Sequence, residues 1–120
     1  MQMQDKIVIN DYIENDPLSE ENLDKTLETV NEIRLSFPNK SIWIYSGFRW
    51  SEIFNDGVYL TKDCAGWKRR EIVKQCTVMV DGKYIDSQRN PSKKWAGSDN
   101  QHVIDISQSI TQNKLVLYCD

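Results

Sequence analysis

Closely spaced cysteines are missing from this sequence of 120 residues, although it contains three cysteines. Cys64, Cys76 and Cys119 lie too far apart along the chain to form a CxxC pair, a zinc site or the short-spaced ligand set of an iron–sulfur cluster. Their odd number and wide spacing are typical of reduced, mostly buried thiols. The alternative is a ligand set assembled across the fold or between two chains.

Long apolar runs and an excess of basic residues are missing as well. No run approaches the roughly 20 apolar residues that span a bilayer, and the amino terminus does not resemble a secretory signal. The net charge of −3 argues against a general nucleic-acid or membrane-surface binder, which needs clustered positive charge. A local basic patch at residues 68–70 stays open. We expect a cytoplasmic protein.

What is present is the composition of one globular domain. Hydrophobic residues make up 39% of the chain and charged residues 28%, which is typical of a folded protein. A chain of this length forms one core, and it shows no repeat, low-complexity tract or linker. We expect residues 1–120 to form a single α/β domain.

The first part of the chain predicts a βαβ unit. Residues 6–10 and 41–45 are short apolar runs that are typical of buried strands. Between them, Ser19 is placed to cap a helix that Pro38-Asn39 ends. Such units are right-handed and build parallel sheets. The apolar positions that keep helical spacing are Leu23, Leu27, Val30, Ile33 and Phe37.

The second part of the chain predicts further elements of the same kind. We expect a short helix at 50–54, a turn at 56–57, a helix at 67–76 and a buried strand at 77–80. A polar loop follows, and two short strands that pair with each other close the chain. These last three segments are residues 87–101, 102–106 and 115–118. The fold class is therefore α/β, with a partial parallel sheet and a short C-terminal β pair.

Three loops are predicted at one edge of this sheet, because ligands of parallel α/β sheets bind beyond the carboxyl ends of the strands. The loops are residues 11–17, 46–49 and 81–84. Asp16, Ser46-Gly47 and Asp81 are the candidate binding residues. Each has a structural alternative, which is a helix start for Asp16 and a turn for the others.

The segment after Trp95 is the strongest candidate for a recognition loop, either for a ligand or for its own backbone. It offers short donors and acceptors behind a glycine, and the only histidine of the chain follows it. A lone histidine is also a common structural residue. No catalytic triad spacing or phosphate-binding glycine loop is present. The candidate residues are Gly97, Ser98, Asp99, Asn100, Gln101 and His102.

Taken together in their order, several segments resemble the activating proteins of anaerobic ribonucleotide reductase, which are small radical-SAM enzymes. The resemblance runs from about residue 14 to residue 106 and adds Asn15 to the candidate site. The matching segments are Asn15-Asp16-Pro17-Leu18, Phe37-Pro38 with Lys40 and Ile42 to Phe48, Val80-Asp81-Gly82, Gly97 to Gln101, and Val103-Ile104-Asp105.

The resemblance implies a partial parallel (β/α) barrel. It also implies a [4Fe–4S] cluster held by a CxxxCxxC loop, and cleavage of S-adenosylmethionine to a radical that is passed to a glycine of the reductase. This sequence departs from that pattern. The CxxxCxxC segment is expected before Met1, Glu14-Asn15 replaces a glycine pair, and His102 stands where the family usually has arginine.

From these departures we predict a non-catalytic binding or inhibitor protein on a degenerate radical-SAM half barrel, of a kind that suits a phage or mobile-element product. It would have no cofactor, with both the cluster and S-adenosylmethionine lost. A protein partner, a nucleotide-like ligand and a homodimer are expected. The alternative is the C-terminal fragment of a split activase that needs a second chain carrying the cysteines.

Overall fold

Four strands form one open sheet in the computed structural model, which describes residues 6–55 and 60–118. The first three strands are parallel, and the fourth is antiparallel to the third. An isolated antiparallel bridge joins Ile104 to Leu117. The predicted α/β class, with a partial parallel sheet and an antiparallel C-terminal pair, is confirmed. In chain order and across the sheet, the strands are β1 (Lys6–Val8), β2 (Ser41–Tyr45), β3 (Val78–Asp81) and β4 (His102–Asp105).

The helices place the core on one face of the sheet. Alternate residues of a strand face opposite sides, so Ile42 and Ile44 of β2 share a face, which packs in the main core with Val30 and Ile72. Trp43 lies on the other face and is also buried. The helices are α1 (Leu23–Ser36), α2 (Trp50–Ile53), α3 (Ala65–Lys74) and α4 (Ile106–Gln112), with 3-10 turns at Ile9–Asp11, Glu20–Asn22 and Asp86–Gln88.

The first helix begins differently from the prediction. The Ser19 hydroxyl donates to the Asp16 carbonyl at 2.9 Å and does not cap the backbone of the following turn. A 3-10 turn, Glu20–Asn22, therefore precedes α1. Leu18 and Leu23, on either side of this turn, are both buried.

The end of the chain contains a helix that the sequence analysis missed. The predicted strand at 102–106 stops at Asp105, whose carboxylate accepts a hydrogen bond from the Gln108 N–H at 3.0 Å and so starts α4. The predicted strand at 115–118 is reduced to one isolated β-bridge, which Leu117 forms with Ile104. The turn predicted at 56–57 lies outside the described residues.

The basic segment of α3 holds the helix in place. Lys68 forms an ion pair with Asp24, and the Nε atoms of Arg69 and Arg70 donate to backbone carbonyls at 2.8 and 2.7 Å. These contacts join the charged groups at 68–70 to other parts of the described fold. Along 6–55 and 60–118, no helix has the length and apolar character needed to cross a membrane.

Candidate functional site

The loops after β1, β2 and β3 meet at the carboxyl edge of the sheet, as the parallel order predicts. They enclose an open pocket of about 240 Å³, which we call the rim pocket. Of the predicted residues, Asn15, Asp16, Ser46, Gly47 and Gln101 come together here. The full lining is Asn15, Asp16, Tyr45, Ser46, Gly47, Gly82, Lys83, Tyr84 and Gln101.

Asp16 joins two of the three loops. One carboxylate oxygen accepts from the Leu18 N–H at 2.9 Å and the Ser46 hydroxyl at 2.8 Å, and the other accepts from the Gly47 N–H at 2.8 Å. A Cβ at Gly47 would lie 2.9 Å from Cγ of Lys83 and 3.4 Å from this carboxylate. A side chain at position 47 would therefore force the Lys83 side chain to shift.

Asn15 has a left-handed backbone, with a φ of 64°. Asparagine tolerates this region better than most residues, although glycine adopts it most readily. The Asn22 side chain donates to the carbonyls on both sides, those of Glu14 at 2.9 Å and Asp16 at 3.0 Å, and so fixes this turn. The side chain at position 15 consequently belongs to the wall of the rim pocket.

Asp81 and His102 form a pair outside the lining of the rim pocket. Asp81 is 2% exposed, and one of its oxygens accepts from the Trp50 N–H at 2.8 Å. The other oxygen lies 2.9 Å from the backbone nitrogen and 3.0 Å from Nδ1 of His102. Both contacts of this second oxygen are therefore with His102. The ring is half exposed, and its orientation is set by the buried carboxylate.

The Gly97–Gln101 segment, written 97–101 below, binds its own backbone and a neighbouring turn. Oε1 of Gln101 accepts from the N–H groups of Gly97 and Ser98 at 2.9 and 3.0 Å, and its Nε2 donates to the Gly82 carbonyl at 3.0 Å. Asn100 donates to the Lys83 carbonyl at 2.7 Å. The segment thereby holds the turn that lines the rim pocket.

The remaining polar groups of 97–101 point to the same role. Ser98 is buried, and its hydroxyl accepts from the Ile85 N–H at 3.1 Å and donates to Asn100. The Asp99 carboxylate accepts from the Asn90 side chain at 2.8 Å. Within the described contacts, only Gln101 of this segment reaches the rim pocket.

Four lining residues were not candidates from the sequence, namely Tyr45, Gly82, Lys83 and Tyr84. Tyr45 ends β2, and Lys83 and Tyr84 follow β3 in a loop that was predicted at this edge. Burial raises the pKa of the Tyr45 phenol, and desolvation followed by the Asp86 hydrogen bond raises the pKa of Tyr84. A Cβ at Gly97 would lie 3.0 Å from the Tyr84 ring, so this ring packs on the glycine backbone.

The two described cysteines lie at opposite ends of α3. Sγ of Cys64 accepts from the Trp67 N–H at 3.4 Å, and this bond lowers the thiol pKa. Burial raises the pKa of Cys76 to about 12. A ten-residue helix separates the two thiols by roughly 15 Å. Residues 6–55 and 60–118 contain no group of three His, Cys, Asp or Glu that could hold a metal ion.

Comparison with known proteins assigns the family. A sequence model described as a 4Fe-4S single cluster domain matches residues 14–104, which is most of the chain. The chain belongs to this family. No solved structure gives a significant match to this chain.

Curated relatives confirm the resemblance to activating proteins. The anaerobic ribonucleoside-triphosphate reductase-activating protein of Escherichia coli (strain K12) is 32% identical over 88 residues, which cover 73% of this chain and 49% of that protein. The protein of the same name from Enterobacteria phage T4 is 33% identical over 89 residues, with 73% and 47% covered. The chain therefore spans about half the length of the curated relatives it matches.

The prediction that no cofactor is involved is wrong. The matched family is described by its 4Fe–4S cluster, which points to an iron–sulfur cofactor. The prediction took the absence of a CxxxCxxC segment as loss of the cluster, but that absence tests only ligands inside this sequence. The described residues do not fit the group, because Cys64 and Cys76 lie too far apart to share it and Cys76 is buried as a thiol. We assign no reaction step to the cluster.

Proposed function

We propose that this chain forms the part of an anaerobic ribonucleoside-triphosphate reductase-activating protein that carries the rim pocket, and that it acts with a cluster-bearing segment. The observation that carries the proposal is the match of residues 14–104, which includes every loop of the rim pocket. The relatives are about twice as long as the matched region. The cluster ligands would come from outside the described residues, and the protein partner would be a reductase.

The free edge of β1 offers a place for the cluster-bearing segment. Among the described residues, β1 pairs with β2 alone, so the N–H and C=O groups of its other edge are available for another strand. Parallel sheets are normally covered on both faces and extended by further β/α units. The proposed segment adds such a unit beside β1.

The proposed role of the rim pocket is to bind a nucleotide-like ligand, which the resemblance names as S-adenosylmethionine. Its wall combines the Lys83 ammonium, the Asn15 amide and the two tyrosines, groups that can bind hydroxyls, carboxylates and an aromatic base. The network of Asp16 and of 97–101 keeps these groups in position before the ligand arrives.

A second candidate is a non-catalytic protein that binds the reductase and blocks its activation. The observation in its favour is the turn at Glu14-Asn15, where the resemblance expects two glycines and where the Asn15 side chain occupies the wall of the rim pocket. An inhibitor of this kind fits a phage product. In this case a second copy would cover β1, because a two-fold axis pairs two such edges antiparallel.

One reconstitution experiment separates the candidates. The chain is co-expressed with the half of the Escherichia coli relative that the match does not cover and loaded anaerobically with iron and sulfide. It is then mixed with the reductase, S-adenosylmethionine and dithionite, which supplies the electron. A co-purifying coloured complex that generates a glycyl radical, detected by electron paramagnetic resonance, supports the activase proposal. The Escherichia coli half alone is the control.

The inhibitor candidate predicts a different outcome of the same experiment. A chain that sediments as a homodimer, binds the reductase and abolishes radical formation by an intact activase supports the inhibitor. A chain that binds neither the cluster-bearing half nor the reductase overturns both candidates.

A further inference from the structure

Two tryptophans hold a lysine ammonium on the sheet face opposite the main core. Nζ of Lys6 lies 3.8 Å from the ring centroid of Trp43 and 4.1 Å from that of Trp95. The two indoles are 5.0 Å apart and tilted by 58°, so they form a cleft around the cation. Tyr118 packs edge-on against Trp43 at 5.2 Å and supports that wall.

The cleft is assembled at an energetic cost. Burial lowers the pKa of Lys6, and no carboxylate among the described residues forms an ion pair with this lysine. Trp95 has a left-handed φ of 74°, which a bulky residue rarely adopts. Its indole N–H is buried without a hydrogen-bond partner among the described residues. Backbone strain and an unsatisfied donor at one residue are more typical of binding sites than of simple packing.

We propose that the cleft between Trp43 and Trp95 is a binding site for a quaternary ammonium ion, which Lys6 occupies in its absence. Two electron-rich ring faces attract a cation, and tryptophan does so most strongly. A methylated ammonium has no N–H donors to satisfy, whereas a primary ammonium has three that ring faces serve poorly. A quaternary ammonium ion would therefore bind in the cleft more favourably than the Lys6 ammonium does.

Lys6 is an occupant that can leave. It is the first residue of a three-residue edge strand, and its ammonium lies over the two rings without a hydrogen bond or ion pair to any described residue. Its displacement would leave the backbone pairing of β1 with β2 unchanged. A second lysine, Lys94, lies 5.2 Å from the Trp95 centroid, which shows that cations also approach the cleft from another loop. This site is separate from the rim pocket, and its test does not depend on the proposed function.

The test is a fluorescence titration of the full chain with tetramethylammonium. We expect Lys6→Ala to empty the cleft and to bind this ion roughly ten-fold more tightly than the unaltered protein, with a saturable change in tryptophan emission. Lys40→Ala is the matched control, because Lys40 lies over the single ring of Phe37 at 5.2 Å and its removal should leave binding unchanged. The neutral analogue 2,2-dimethylpropan-1-ol, which has a similar branched shape, should give no saturable change.

Trp95→Ala completes the design. It should abolish the response of the unaltered protein and, combined with Lys6→Ala, that of the emptied cleft. Circular dichroism checks that each variant is folded, and the comparison of the unaltered protein with Trp95→Ala decides the question if Lys6→Ala does not fold. No saturable response in the folded protein, or one that survives Trp95→Ala, overturns the proposal. Choline and Nε-trimethyllysine then separate a free metabolite from a methylated lysine side chain as the source.

Discussion

Asp16 shows how one carboxylate organises a pocket from residues that are distant in sequence. Its oxygens accept hydrogen bonds from the loop that follows β1 and from the loop that follows β2. The Asp16 carboxylate is therefore engaged in positioning Ser46 and Gly47. The wall of the rim pocket is formed by the side chains and backbone groups that this network leaves exposed. These contacts join the two loops, and ligand binding by Asp16 and its neighbours stays a prediction.

Replacement of this carboxylate measures the strength of the network. We expect Asp16→Ala to lower the free energy of unfolding by about 2–3 kcal/mol, because a charged acceptor is lost and the Ser46 hydroxyl and Gly47 N–H lose their partner. Asp11→Ala, at an exposed position of the same loop, should change it by less than about 0.5 kcal/mol. Urea denaturation measures both variants. Equal stability of the two would show that the network contributes nothing.

At the scale of elements, α4 depends on a local signal that competes with a strand pattern. The run from His102 to Ile106 has the alternation of a strand, and four of its residues form β4. Asp105 ends that strand because its carboxylate caps the next helix. Asn113 closes the helix in a left-handed conformation. A strand and a helix are thus joined without a loop.

The cap at Asp105 provides the element-scale prediction. We expect Asp105→Ala to cost about 1 kcal/mol of folding stability, which is typical for loss of a helix N-cap. Ser107→Ala, in the first turn of the same helix and exposed, should be close to neutral. Thermal unfolding followed by circular dichroism compares them. A neutral effect of Asp105→Ala would mean that tertiary packing alone holds α4.

At the scale of the whole molecule, both ends of the described chain contribute to one core. Ile9 and Leu18 near the start and Ile104 and Ile106 near the end belong to the same buried cluster as the helices. Removal of either end would therefore expose the centre. We propose on this basis that the chain folds as a single domain.

Cys76 reports on this cooperativity. Its thiol is buried in the shared core, and its pKa of about 12 leaves almost no thiolate at neutral pH. We expect alkylation of Cys76, followed by mass spectrometry across a urea titration, to coincide with the change in tryptophan emission. Cys64, partly exposed and with a lowered pKa, should react before unfolding and serves as the internal control. Labelling of Cys76 well below the unfolding midpoint would contradict a single cooperative unit.

Local patterns in the sequence determined much of this fold. The spacing of apolar residues along the chain predicted β2, the buried face of α1 and β3. Burial of one or both faces of an element fixes the period at which its apolar residues recur. The parallel order of β1, β2 and β3 followed from these elements, and it correctly placed three loops at one edge. The family was also identifiable from ordered segments of the sequence.

Tertiary structure alone decided how the candidate residues are used. The contacts of Asp16 with Ser46, of Asp81 with His102 and of Gln101 with Gly82 join residues that are 19 to 30 positions apart. Spacing along the chain carries no information about such pairs, because a side chain finds its partner only after the strands have assembled. The sequence therefore located the rim pocket, and the folded chain determined which groups brace its wall and which ones line it.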